Sequence, residues 1–460
     1  MRADTRAVGA AMTGHAPRGI ALALVAAVVT GCPTPRAVER SPEPPALGPA
    51  PAPAPPPTVT TLPSGLRVVS YPARDGVFAA ALVVGGGPLD DPRGMEGLTG
   101  FTAEAALLAT TEDPDRETRP ERRALTLGGR VDVVHDGVMV GWRVEGPATS
   151  RGPLLRLLRD VAIHPDFPAT RVQARAEMLR EQREQVRTRT LADGRAWAIA
   201  LALGIGRPLG GAPADATLAR VNREDVARHH ARLFQPDRAV IVTEGASADV
   251  VAQVFRDWTP RAGAAPLPDA VEACPAGRVF QGWLPAPERD AAVFVALPVP
   301  GPSDPLRPAL DELLLAESAL DDGIRPRVEL HDRGDRAVLL LIVTGMKPGV
   351  LEPVDRWLGR LTRADSAGRS GLGARLRRAT RLLAMESPLG RLVTTARVVL
   401  DARPAESGAA SDADRDAVRG VLANEDHRVR VGVGPDEMRR RVETWGPTRA
   451  LPRQGAICDE

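Results

Sequence analysis

Two kinds of hydrophobic pattern alternate along this chain, and together they predict a mixed α and β protein. Short apolar runs bounded by turn residues predict strands, whereas apolar residues at helical spacing predict helices. In the first part of the chain the predicted strands fall within 61–69, 78–84, 130–135, 138–145 and 239–244. The predicted helices there cover 97–110, a segment from 120, 151–163, 169 to about 190, 223–233 and 248–258.

The pattern of the first part recurs in the second. The stretch VHDGVMVGWRVEG, followed by a helix, parallels LHDRGDRAVLLLIVTG, also followed by a helix. Residues 223–258 likewise parallel residues 414–445 as a helix, a strand and a second helix. The repeated unit is much longer than the roughly 20–50 residues of solenoid repeats, so the sequence predicts two tandem, duplicated α+β domains.

Composition and charge exclude some classes of function. The 460 residues suffice for two or three domains, and 43% hydrophobic residues are ordinary for a globular protein. The net charge of +2 and the absence of basic runs interleaved with aromatic residues argue against nucleic-acid binding. Nucleotide-binding and serine-hydrolase motifs are also missing, because neither G-x-G-x-x-G nor G-x-S-x-G occurs.

The N-terminus has the pattern of an export signal. Arginines precede the apolar run 19–29, which is too short to span a bilayer comfortably but suits a signal peptide. The run leads to Val-Thr-Gly-Cys32, which resembles a bacterial lipobox; an ordinary secretory signal is the alternative. We therefore expect residues 1–32 to be a signal peptide, Cys32 to be lipidated, and the protein to be anchored in the cell envelope facing the periplasm. Residues 33–57, rich in proline, form the predicted disordered tether.

Three motifs carry a resemblance to a known family. Residues 97–110 read GLTGFTAEAALLAT, similar to a helix that opens G-L-x-H-F-x-E-H; Thr61–Leu66 resembles T-L-x-N-G-L, and Arg207–Pro213 resembles H-P-Y-G-x-P. Together they resemble the pitrilysin/insulinase family of inverted zinc metallopeptidases. The resemblance implies two domains, each a mostly antiparallel sheet with helices on one side, at 58–258 and 277–446. A linker at 259–276 and a tail at 447–460 complete the expected organisation.

The zinc chemistry of that family does not survive in the motif. The resemblance places the first histidine ligand at Gly100, the general base at Ala103, the second histidine ligand at Glu104 and a third ligand at Glu181. A hydrolytic zinc needs three protein ligands, a water molecule and a carboxylate base. We therefore expect neither bound zinc nor catalytic residues. A solvated helix with Arg/Glu pairs explains Glu181 equally well.

The second half has also lost family features. The resemblance implies an arginine and a tyrosine that grip substrate there, and Arg325, Arg327 and Arg333 lie in the expected region. We treat Arg325 and Arg327 as vestigial substrate contacts. The tyrosine is missing, because the single tyrosine of the chain is Tyr71 and Ala337 occupies the expected place.

Histidines outside the motif do not supply a replacement metal site. His229 and His230 are adjacent on a predicted helix and therefore point to different faces, while His135, His164, His331 and His427 show no ligand spacing. We expect structural or surface roles for all of them. Once Cys32 is lipidated, Cys274 and Cys458 are the remaining thiols of an exported protein, and we expect them to form a disulfide, with two free thiols as the alternative.

Three functions fit these features. The first is an inactive homologue of the zinc peptidases that serves as accessory or scaffold subunit for an active, zinc-bearing homologous subunit. The second is an active or residual zinc-dependent peptidase that uses Glu181 with unconventional ligands. The third is a stand-alone peptide-binding lipoprotein. The missing histidine ligands favour the first over the second.

Overall fold

The computed structural model describes residues 56–74, 76–108, 119–185, 189–210, 213–260, 281–318, 326–333, 336–345, 349–363, 367–400 and 410–452. Several predicted features lie outside these ranges: the signal peptide, nearly all of the proline-rich tether and most of the linker. Thr110, Arg325 and the cysteines Cys32, Cys274 and Cys458 also lie outside them.

The first half contains strands β1 to β6 and helices α1 to α8. Its strands are β1 Thr58–Thr61, β2 Arg67–Tyr71, β3 Val77–Gly85, β4 Arg130–His135, β5 Met139–Pro147 and β6 Ala239–Glu244. Its helices are α1 Leu98–Leu108, α2 Pro120–Thr126, α3 Arg151–Ile163, α4 Ala169–Gln185, α5 Arg189–Ala202, α6 Asp215–Arg220, α7 Arg223–Leu233 and α8 Ala248–Val254.

The second half contains strands β7 to β12 and helices α9 to α14. Its strands are β7 Gln281–Pro285, β8 Ala292–Pro300, β9 Arg327–Arg333, β10 Arg336–Thr344, β11 Val429–Gly434 and β12 Arg449–Ala450. Its helices are α9 Arg307–Ser318, α10 Glu352–Thr362, α11 Ala367–Glu386, α12 Pro388–Leu400, α13 Asp412–Ala423 and α14 Asp436–Glu443.

The described strands form one six-stranded sheet in each half. The first sheet has the order β1-β2-β6-β3-β5-β4, and every pair in it except β2 with β6 is antiparallel. The second has the order β12-β7-β11-β8-β10-β9, with β7 parallel to both of its neighbours. The predicted class of two α+β halves with mostly antiparallel sheets is confirmed.

Each sheet also carries a helix on its second face, contributed by the other half. Helix α12 places Leu389, Leu392 and Ala396 against the first sheet, and α5 places Trp197 and Ile199 against the second. Polar contacts add to the α12 packing: the Tyr71 hydroxyl lies 2.9 Å from the Thr395 hydroxyl.

The sequence predicts that helices cover one side of each sheet. In the structure, the helix exchanged from the other half covers the second side as well. Residues 78–84 of β3 are all buried, and so are residues 337–342 of β10. Neither stretch shows the alternation of buried and exposed residues that is typical of a half-exposed strand. A strand that is apolar on both faces must be covered on both. The helix exchange supplies that second cover.

Two boundaries also differ from the sequence-based expectation. The helix predicted over 248–258 ends at Val254. The described part of the helix predicted from 169 to about 190 reaches Gln185, and residues 186–188 lie outside the described residues. Arg449 and Ala450, expected in the tail, form β12 beside β7. A two-residue strand is too short to produce a periodic pattern. Within the described ranges, no helix combines the length and apolar character needed to cross a membrane.

Candidate functional site

The site expected from the sequence lies on α1, and a buried carboxylate fixes where this helix begins. Asp91 accepts hydrogen bonds from the backbone N–H groups of Gly97, at 2.6 Å, and Thr99, at 2.7 Å. Gly97 has a φ of +85°, which places the chain in the left-handed region just before the helix. Burial raises the pKa of Asp91 to about 7, although its hydrogen bonds and the charge of Arg207 oppose that shift.

The two small residues of the motif are enclosed by protein. Gly100 and Ala103 are buried, and Ala103 has no exposed surface. Trp142 of β5, also fully buried, donates its indole N–H to the Ala103 carbonyl at 2.9 Å. Neither Gly100 nor Ala103 carries a side-chain atom that could bind a metal or accept a proton from water.

Glu104, the third position of the motif, is held by an arginine of α4. Its Oε2 accepts hydrogen bonds from Arg175, at 2.5 Å from Nη2 and 3.2 Å from Nε. The guanidinium therefore neutralises the carboxylate at the position where the family resemblance implies a neutral histidine. A cation held beside this position also opposes the binding of a second, divalent cation.

Glu181 lies on α4 but does not join Glu104. Its side chain is exposed, and it does not line the cavity of about 510 Å³ beside Glu104, whose walls include Arg175, Met178 and residues 131–133 of β4. Across the described ranges, no group of three or more His, Cys, Asp and Glu side chains is placed to hold a metal ion. The side chains of this face do not fit a hydrolytic zinc site.

His229 and His230 are both buried on α7, where they have different partners. Arg232 lies 3.1 Å from the Nδ1 of His229, and because a guanidinium can only donate, Nε2 carries the imidazole proton. Nε2 then donates to the Thr99 hydroxyl at 2.9 Å. Burial, together with the charge of Arg232, lowers the pKa of His229 to about 3. His230 instead stacks on Phe234 at 4.7 Å between ring centres.

The sequence-based expectation of vestigial substrate contacts concerns Arg325 and Arg327. Arg325 lies outside the described residues. Arg327, at the start of β9, has a side chain that is 71% exposed and pairs with Glu329 at 2.8 Å. Ala337, at the place expected for the missing tyrosine, is fully buried among apolar residues of the second half.

The structure instead brings together two segments that the sequence analysis did not combine. His135 is the last residue of β4 and Asp136 follows it, whereas His331 and Asp332 lie within β9, next to its last residue. Both pairs line one cavity of about 460 Å³ between the halves, called here the inter-half cavity. The sequence repeat already indicated that these two segments correspond, because VHDG and LHDR each contain a His-Asp pair at the same turn.

Comparisons with known proteins identify the fold but not a close relative. No family model matches the sequence, and no curated protein matches it. Among solved structures, a protease from Helicobacter pylori superposes with a TM-score of 0.69 at 13% identity, covering 82% of this chain and 99% of that one. An M16-like peptidase from Alicyclobacillus acidocaldarius superposes with a TM-score of 0.59 at 16% identity, covering 82% and 98%.

These similarities extend over nearly the whole length of both solved chains, so they include both halves and the order in which they follow each other. They support, at the level of fold, the resemblance to the pitrilysin/insulinase peptidases that the motifs indicate. The chain has the two-half fold of the M16-like peptidases.

Proposed function

We propose that the chain is a catalytically inactive homologue of the pitrilysin-type zinc peptidases. One observation carries the proposal: at the positions of the ligands and the base, Gly100 and Ala103 have no functional side-chain atoms and Glu104 is bound by Arg175. A hydrolytic zinc requires ligands and a base that are free to act. Loss of all three groups removes metal binding and water activation together.

The proposed role is that of an accessory or scaffold subunit for an active, zinc-bearing homologous subunit. Both sheets and their cores are complete in the described residues, including the fully buried Trp142, Trp197 and Trp357. A protein that has an intact fold but lacks catalytic residues still has surfaces that another protein can bind. A lipid on Cys32 and the proline-rich tether would hold such a partner at the membrane and raise its local concentration.

Metal analysis and a peptidase assay test the loss of activity. The purified full chain is measured for zinc and assayed with a mixed peptide library, alongside the Glu181→Gln variant. We expect less than one tenth of an equivalent of zinc and no cleavage in either protein. One tightly held equivalent of zinc that Glu181→Gln removes would establish the residual peptidase instead.

Recovery of a partner tests the scaffold role. The tagged lipoprotein is isolated from native membranes, with Cys32→Ala as the control that lacks the lipid. We expect a zinc-containing homologous chain in the isolate and an interface that buries more than about 1,000 Å² in total. If the lipoprotein, present at its native level, is isolated as a monomer without such a chain, this role is contradicted.

One observation favours a stand-alone peptide-binding protein as the second candidate. The cavity beside Glu104 follows β4, which is the outermost described strand of the first sheet. An extended peptide bound there would add a strand by main-chain hydrogen bonds. Enrichment of bound peptides, without a homologous subunit, in the isolate from native membranes would favour this function over the first.

A further inference from the structure

The inter-half cavity contains charged side chains from both halves, and most of its carboxylates are already neutralised. Arg397 of α12 binds Asp136 of the first half and lies 3.5 Å from Asp332 of the second. Asp332 also pairs with Arg307 at 2.6 Å. One arginine therefore joins the two repeated His-Asp turns.

Three further carboxylates that line the cavity are paired as well. Arg183 lies 2.9 Å from Asp215 and 3.4 Å from Asp193. Glu96 lies 3.6 Å from Arg207, and its Oε1 accepts a hydrogen bond from the backbone of Gly94. These acids do not offer a free negative charge for a cationic ligand.

Arg333 differs from the other arginines of the cavity. It is only 6% exposed, and within the part of the chain that the structure describes it forms no ion pair. Its Nη1 donates to the Asp332 carbonyl at 2.7 Å, while its buried Nε has no hydrogen-bond partner. Burial lowers the pKa of Arg333 even though Asp136 and Asp332 oppose the shift. A buried guanidinium with an unused donor is costly unless an anion binds beside it.

A second polar group in the cavity also lacks a partner. The Nε2 of His135 is buried and makes no hydrogen bond in the structure. His331, by contrast, is occupied by Glu329, with 2.9 Å between Nε2 and Oε2. His135 is close enough to Arg333 for the guanidinium charge to help lower its pKa, after the larger effect of burial. A neutral imidazole there can donate one further hydrogen bond to an oxygen ligand.

Apolar residues also line the cavity, beside Arg195, which pairs with Glu329 at 2.9 Å. The apolar residues include Pro88, Trp197, Ile199, Leu209 and Leu330. The Trp197 indole N–H is already used, because it donates to the Pro452 carbonyl at 2.9 Å. These apolar residues suit an apolar group on a ligand whose charged group binds an arginine of the same cavity. A volume of about 460 Å³ lies within the usual range of small-molecule sites.

We propose that the inter-half cavity binds a ligand in which an apolar group carries a carboxylate, with Arg333 as the ion-pair partner and His135 as a second donor. The carboxylate can belong to a free organic acid or to the C-terminal end of a peptide. The site is independent of the inactive-peptidase role proposed above, because Arg333 and His135 are not positions of the zinc motif and no partner subunit takes part.

The test compares two probes that differ only in charge. Calorimetric titration of the purified full chain with N-acetyl-leucine and with N-acetyl-leucinamide measures how much binding depends on the carboxylate. We expect the acid to bind about tenfold more tightly than the amide, or better. Equal binding of the two probes, or no binding of the acid at millimolar concentration, overturns the proposal.

Two matched substitutions assign the effect to Arg333. Arg333→Met should abolish the preference for the acid, whereas Arg327→Met, on the same strand but with a side chain 71% exposed, should retain it. Circular dichroism and the melting temperature establish that each variant folds. If Arg333→Met retains the preference, the proposal is wrong; if it does not fold, the acid–amide comparison on the unmodified chain still decides.

A third probe distinguishes the two sources of the carboxylate. N-acetyl-Ala-Ala-Leu is titrated with its terminal carboxyl free and with that group amidated. Tighter binding of the free tripeptide than of N-acetyl-leucine identifies a peptide end as the ligand. Weaker binding than N-acetyl-leucine identifies a small organic acid. In either case the amidated tripeptide should bind at least about tenfold more weakly than its free form.

Discussion

Glu104 and Arg175 form an ion pair at the position where the family resemblance implies the second histidine ligand, with 2.5 Å between Oε2 and Nη2. The two side chains are 40% and 25% exposed, so the pair contributes little to stability. Its consequence is electrostatic, because it keeps a guanidinium beside Glu104, where its positive charge would oppose a bound cation. Where the resemblance implies a neutral histidine, the chain therefore has a carboxylate that is already paired with a cation.

Restoring the motif should not restore a working site. We expect the Gly100→His, Ala103→Glu, Glu104→His variant to bind zinc weakly, because Arg175 remains nearby and Glu181 is turned to solvent. Adding Arg175→Met should strengthen zinc binding by about tenfold, since a like charge is removed. Competition with a chromogenic chelator measures both affinities, and nanomolar binding by the triple variant would show that the surroundings are intact.

Removing the arginine that joins the two His-Asp turns should destabilise the protein. Arg397→Met leaves Asp136 and Asp332 without their shared cation, and we expect a loss of about 1–3 kcal/mol in the free energy of unfolding. Arg228→Met is the control, since that side chain is 76% exposed and its partner lies 3.5 Å away. Urea denaturation measures both changes. A loss for Arg397→Met no larger than that of the control would contradict the role assigned to this residue.

The close approach of α5 to the second sheet can be tested at one glycine. A Cβ atom at Gly194 would lie 2.6 Å from both Phe294 and Val433, which are buried in the sheet. Gly194→Ala should therefore destabilise the fold by about 1–3 kcal/mol through overpacking. Gly359→Ala in α10, where a Cβ would have no neighbour within 4 Å, should instead stabilise it by about 0.5–1 kcal/mol. Opposite shifts of the urea midpoint are the expected result, and a stabilising Gly194→Ala would mean that α5 does not pack this closely.

Acid should weaken the fold through His229. Its pKa of about 3 in the folded protein is below the ordinary value of 6.5, so the unfolded chain binds the proton first. Its stabilising contribution is therefore present above pH 6.5 and is lost towards pH 3, at up to about 1.4 kcal/mol per pH unit. Asp91 acts in the opposite sense, because its raised pKa adds stability at low pH that is lost as the pH rises towards 7.

Comparison of two variants isolates the histidine. We expect His229→Gln to flatten the fall in unfolding free energy between pH 6 and pH 4, whereas His427→Gln, at an exposed residue, should leave it unchanged. Urea titrations at a series of pH values provide the measurement. An unaltered slope in His229→Gln would place the acid sensitivity elsewhere.

Local patterns along the chain predicted where helices and strands form and which ligand positions of the zinc motif lack ligating atoms. The helices at 151–163 and 223–233 and the strand at 239–244 begin and end where periodicity and turn residues predict, because these signals act over a few neighbouring residues. The lack of ligating atoms at Gly100 and Ala103 likewise follows from residue identity alone. The repeat predicted two similar halves, and both sheets are present.

Only the tertiary structure decided which distant segments meet. The exchange of α5 and α12 between the sheets, the pairing of Glu104 with Arg175, and the convergence of His135 and His331 on one cavity join residues that lie far apart in the chain. Such contacts depend on how complete elements cover apolar faces and neutralise buried charge, and periodicity within one segment carries no information about its partner in another.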